Sequence, residues 1–121
     1  EISDDNHEKG YISRSEMKFL FNDDKKSVTL ETPAGKTFKI DEDAGSITLE
    51  DENSNKITMN SDGISMESGK DMNLKATGDV NIEGVNVNTK AQASYKAEGS
   101  AGAEVTSSAN VKIQGALVQI N

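Results

Sequence analysis

Apolar side chains recur along most of this chain in pairs one residue apart, and turn chemistry separates the pairs. Met17–Phe21 (MKFLF) is a strand signal, followed by a polar turn, Asn22-Asp23-Asp24-Lys25-Lys26. Ser27–Glu31 (SVTLE), a turn at Pro33-Ala34-Gly35, and Lys36–Ile40 (KTFKI) continue the pattern. Short alternating strands joined by turn residues predict an antiparallel run over 17–45. Pro33, the only proline, falls between strands, where no ladder needs its missing N–H. Residues 1–16 are polar and unpatterned and read as a linker or flexible lead-in, with His7 an exposed linker residue.

From Ser46 the pairs form a repeat: Ile47/Leu49, Ile57/Met59, Ile64/Met66, Met72/Leu74, Val80/Ile82 and Val85/Val87, then Ala101/Ala103, Val111/Ile113 and Val118/Ile120. Ile64, Met72 and Val80 are eight residues apart, and Gly, Asp, Asn and Ser fill the gaps. The residue inside each pair is mostly polar, as at Thr48, Thr58, Ser65, Asn73, Asn81, Asn86 and Lys112. Such period-2 alternation gives each strand one core face and one wet face. It leaves no i, i+3, i+4 stripe, and the recurrent glycines disfavour helix as well. A short repeat of strand plus turn predicts a β-solenoid over 46–121.

Composition changes this picture. Only 33% of the 121 residues are hydrophobic, 4% are aromatic, and there is no Trp. One ribbon of such strands has too little apolar surface to offset the entropy of ordering it. It would also leave backbone groups unpaired along its edges. Three copies wound about one axis remove both difficulties, because the apolar pairs meet at the axis and one interface is used three times. The fold class expected is therefore all-β, an intertwined homotrimeric triple-stranded β-helix over 46–121 preceded by short antiparallel strands. At one octad per tier that makes roughly 9–10 tiers and a rod ~45 Å long. The expected trimer core is the paired set Ile47, Leu49, Ile57, Met59, Ile64, Met66, Met72, Leu74, Val80, Ile82, Val85, Val87, Val111 and Ile113. Between Ala91 and Ala103 alanine takes most of these positions, so the rod narrows there. Larger residues return toward Ile120.

Net charge is −8, with 14 acidic and 7 basic side chains in residues 1–55 against 7 and 6 in residues 56–121. This disfavours nucleic acid as a partner. Cysteine is absent, which excludes disulfides and thiolate metal sites. No apolar run is long enough to span a bilayer and no secretory leader opens the chain. Glu1 in place of Met suggests a fragment or a processed product.

KITMNSDGISMESGKDMNLKATGDVNIEG (Lys56–Gly84), ETPAGKTFKIDEDAGSITLEDENSNK (Glu31–Lys56) and KIQGALVQIN (Lys112–Asn121) resemble the C-terminal β-helix of VgrG spike proteins of type VI secretion systems, relatives of the central spike of contractile-tailed phages. The likeness spans roughly 27–121. It implies a homotrimeric, membrane-puncturing needle seated on an inner-tube hub and baseplate, assembled in a bacterial cytoplasm and driven with effectors through a target-cell envelope. It also implies a PAAR-type cap at the tip. The hub domains and the oligonucleotide/oligosaccharide-binding-like domain of the family have no counterpart here, so the expectation is the needle segment alone. Related phage spikes hold an apical iron with a His-x-His motif. The one histidine here is His7, at the other end, so no metal and no cofactor are expected.

Site candidates are few. Asp41-Glu42-Asp43 and Glu50-Asp51-Glu52 could supply paired carboxylates for glycan hydrolysis. They fall in turns between strands, where a solvated acidic surface explains them, and no enzymatic activity is expected. Ser61-Asp62-Gly63 lacks the calcium-binding nonapeptide pattern, and turn chemistry accounts for it. Met59, Met66 and Met72 read as core filler. The C-terminal patch Ala116, Leu117, Val118, Gln119, Ile120 and Asn121 reads either as the last core layer or as a platform for the cap. A trimeric fibre or adhesin stalk, or a phage tail spike, is the competing identity. A spike with an enzymatic tail is a third.

Overall fold

The computed structural model describes residues 8–121; the first part of the lead-in, with His7, lies outside the described residues. Seven strands follow one another: β1 (Glu8–Ile12), β2 (Lys18–Asn22), β3 (Ser27–Glu31), β4 (Thr37–Asp41), β5 (Ser46–Glu50), β6 (Lys56–Asn60) and β7 (Gly63–Glu67). Each pairs antiparallel with the next, so strand order in the sheet equals chain order. No helix forms among the described residues.

The loops explain why the chain folds back each time. Three five-residue loops, Ser13–Met17, Thr32–Lys36 and Asp51–Asn55, share one design. The first residue's N–H donates to the fifth residue's carbonyl, at 2.9, 2.9 and 3.1 Å. In return, the fifth N–H donates to the first side chain, at 3.0 Å to Ser13 Oγ, 3.1 Å to Thr32 Oγ1 and 3.1 Å to Asp51 Oδ1. The fourth residue takes positive φ in all three: Glu16, Gly35 and Ser54. On the opposite side of the sheet, Asn22 and Asp41 open four-residue loops by accepting from Lys25 and Ala44, and Lys26 and Gly45 supply the positive φ. Asn60 opens the shorter last turn and accepts from Asp62 N–H at 2.9 Å. Side chains that hydrogen-bond their own backbone and residues tolerant of left-handed φ are what such turns require.

The same positions expose a repeat. Ser13, Thr32 and Asp51 are 19 residues apart, as are Asn22, Asp41 and Asn60. The second strand of each hairpin reads Val28-Thr29-Leu30-Glu31, Ile47-Thr48-Leu49-Glu50 and Ile64-Ser65-Met66-Glu67. The sheet is one hairpin unit written three times, with β1 added at the front.

Two expected boundaries are corrected. Residues 8–12, placed in the lead-in, form β1, which pairs with β2 from Glu8↔Asn22 to Ile12↔Lys18 through the Ser13–Met17 loop. The loop chemistry, not the weak apolar pattern of EKGYI, decides this. The antiparallel region also does not end at residue 45. β5, β6 and β7 continue it through Glu67, because loops of five and two residues can only reverse a strand and cannot carry it around an axis. Ile47, Leu49, Ile57, Met59, Ile64 and Met66 therefore belong to this sheet, and the triple-stranded winding expected for 46–67 is not what the chain forms there.

The chain divides into two units, one ending at Thr77 and one spanning Gly78–Asn121. Residues 68–77 and the second unit contain no strand, and from Gly69 to Asn121 every residue is exposed.

Candidate functional site: an uncovered apolar face

Register sorts the sheet's side chains onto two faces. One column on the first face runs Tyr11, Phe19, Leu30, Phe38, Leu49, Ile57, Met66; the second runs Phe21, Val28, Ile40, Ile47, Met59, Ile64, with Lys9 at its β1 end. Phe19 and Phe21 lean together, ring centroids 5.3 Å apart. A hollow of about 420 Å³ opens among Tyr11, Met17, Phe19, Leu30 and Phe38, and its lining continues into the Thr32–Lys36 loop.

The opposite face is polar from β3 to β7: Thr29, Lys39, Thr48, Thr58 and Ser65 form its central row, which Leu20 and Gly10 complete at the β1–β2 end. Beside them opposite charges stand across from one another, Lys18 from Glu31, Glu50 from Lys56 and Lys56 from Glu67, an arrangement that supports antiparallel pairing. Two ion pairs reach the loops: Lys9 Nζ of β1 to Asp23 at 2.9 Å, and Lys36 Nζ to Glu52 of the next five-residue loop at 2.8 Å. The Lys36 ammonium holds the Glu52 carboxyl below its ordinary range. Asp41 is lowered as well, first by the Ala44 N–H and then by Lys39. Asp51 is lowered to about 2 by the Asn55 side chain and the N–H groups of Asn53 and Asn55. Asp41 and Asp51 are thus engaged by backbone N–H groups of their own loops, and Glu52 by Lys36 of the neighbouring loop. Among the described residues no three His, Asp or Glu side chains gather to hold a metal ion.

Among the described residues of the first unit, none covers the apolar face. No hydrophobic side chain among the described residues is buried, and the one buried residue is Ser27. Phe21 is 46% exposed and Ile64 70%. A stable domain does not leave both columns of an apolar sheet in water, so this face belongs against another surface. Past the sheet the expected core residues Met72, Leu74, Val80, Ile82, Val85, Val87, Val111 and Ile113 are all exposed as well. So are residues 116–121 at the tip. The chain thus brings the first six expected core residues, Ile47 to Met66, into one surface and leaves the later ones unassembled. Sequence reasoning missed the aromatic end of that surface, Tyr11, Phe19 and Phe38, because it started the core at Ser46. The same alternation, followed backwards from Ile47 through Phe38 to Phe19, carries the signal.

Comparison with known proteins bears on what covers the face. No curated protein matches the chain. Among protein families, the phage baseplate V C-terminal trimerisation domain matches residues 27–121, from the first residue of β3 to the end of the chain. A sheet with one face uncovered and a segment that pairs with none of its own strands are what a chain built to join two copies of itself presents singly. This chain therefore belongs to the phage baseplate V C-terminal trimerisation domain family, and is a homotrimer-forming, all-β structural part of phage-tail or spike type.

Proposed function

We propose that the chain is the membrane-piercing needle segment of a VgrG-like spike in a contractile injection machine, and that its role is mechanical, with no catalysis. The uncovered two-column apolar face supports this most directly. In a trimer, three such faces turn inward and the polar rows Thr29–Ser65 turn out, which yields a stiff body with a wet exterior. Backbone ladders then continue through residues 72–121 by pairing between copies, with Met72, Leu74, Val80, Ile82, Val85, Val87, Val111 and Ile113 at the axis. On this reading the trimer sits on an inner-tube hub and baseplate, is assembled in a bacterial cytoplasm, and carries effectors through a target-cell envelope when the sheath contracts. The acidic surface, net −8 per chain, sets it against nucleic acid as a partner.

The exposed apolar tip, Leu117, Val118 and Ile120 with Ala116, Gln119 and Asn121, supports a PAAR-type cap docking there. Deleting residues 116–121 should abolish capture of a PAAR-type protein while the trimer persists. Unchanged capture would remove the platform reading and leave the patch as a final core layer. Electron microscopy of the intact machine, with an antibody fragment on an outer-face position, tests the needle itself. Label at the leading end of the inner tube is expected, and label on a lateral fibre would favour the stalk reading instead.

A further inference from the structure

The point where the sheet ends is held by a side chain built for it. Asp51 closes the β5–β6 loop more tightly than its counterparts Ser13 and Thr32 close theirs. Its Oδ1 accepts from Asn53 N–H at 2.8 Å and Asn55 N–H at 3.1 Å, and its Oδ2 accepts from Asn55 Nδ2 at 2.8 Å. That grip fixes the Asn55 amide, and Asn55 Oδ1 in turn accepts the backbone N–H of Gly69 at 3.0 Å, fourteen residues along. Gly69 lies flat on the loop. A Cβ there would stand 2.4 Å from the Asn53 carbonyl oxygen and 3.1 Å from Ser54 Cβ, so only glycine fits. The following turn closes on itself, Ser68 Oγ donating to the Asp71 carbonyl at 2.7 Å and accepting from Lys70 N–H at 3.2 Å.

From these contacts we infer that Asp51, Asn55 and Gly69 form a clasp that pins the end of β7 to the preceding loop and so fixes where the chain stops pairing with itself. The need follows from the fold. β7 is an edge strand carrying Ile64 and Met66, and among the described strands it pairs only with β6, which it follows through a two-residue turn. An edge of that kind slips or frays unless its end is tied. One slipped residue would invert Ile64 and Met66 onto the polar face. Lys36–Glu52 ties the second loop to the third, and the clasp ties the third to the chain's departure. The inference depends on the sheet and its loops alone, so it stands apart from what the assembled rod pierces or carries.

Hydrogen exchange on the trimer of the 121-residue chain, read peptide by peptide with the native mass followed in parallel, tests it. In Asn55→Ala, which adds no bulk, and in Gly69→Ala, β7 amides should exchange about tenfold faster while β2–β4 keep their rates. Asn22→Ala removes a comparable loop bond across the sheet and should leave β7 unchanged. Unaltered β7 exchange in Asn55→Ala would overturn the clasp, as would acceleration spread equally over β2–β4. Should Gly69→Ala fail to assemble, Asn55→Ala still decides.

Discussion

Single residues fix this fold at its loops, where the exposed carboxylates are placed to accept N–H groups. Asp51 titrates from its ordinary 3.8 down to about 2 because Asn55 and the neighbouring N–H groups favour the charged form. A depressed folded-state value means the stabilisation is complete above pH 3.8 and is lost as pH falls toward 2. Asp51→Asn should therefore lower the melting temperature at neutral pH, and the gap to the parent should close between about pH 4 and pH 2. A gap that stays constant over that window would mean the carboxylate's charge is irrelevant to the loop. Gly45 tests backbone conformation alone. Its φ is +66°, and a Cβ built there meets nothing within 4 Å. Gly45→Ala should cost about 1–2 kcal/mol through left-handed strain, visible as a lower melting temperature with the fold unchanged.

At the scale of the element, each strand is defined by which of its faces is wet. Ile40 and Thr48 stand in neighbouring strands on opposite faces of the sheet. Ile40→Asp should abolish trimer formation, since three carboxylates would then enter an apolar interface without partners. Thr48→Asp sits across from Lys39 and should leave both mass and melting temperature close to the parent's. Light scattering reads both variants, and a trimeric Ile40→Asp would show that the apolar face is not the interface. Alternation made β2, β3 and β4 legible beforehand, to within a residue at their ends, and marked the apolar pairs of β5 to β7 without their ends. β1 escaped because EKGYI offers Tyr11 alone to the apolar face, and its pairing is set by Ser13 three-dimensionally, through a loop.

For the whole molecule the decisive fact is that the described residues bury no apolar side chain. A chain whose described aromatic and aliphatic side chains are all exposed or half-buried reaches stability only by association, and the family it belongs to is one of trimerisation domains. Light scattering should give a mass close to three times 13.0 kDa. Unfolding should depend on protein concentration, with sheet and trimer lost together. A folded monomer at any concentration would contradict the assembly.

The amino-acid sequence alone determined that this is an all-β chain of alternating strands, too poor in apolar residues to stand singly, because period and composition are properties of the chain order itself. What three-dimensional structure decided was how far the chain pairs with itself. Strand pairing is a choice between partners that look alike in one dimension, so ITLE and ISME read as well for a wound rod as for a hairpin. The five-residue loops and the two-residue turn Ser61-Asp62 resolve it, since a reversal that short leaves the next strand no place except beside the last. The 19-residue hairpin repeat lay in view throughout, yet its unequal third turn hid it until the loop hydrogen bonds at Ser13, Thr32 and Asp51 aligned it.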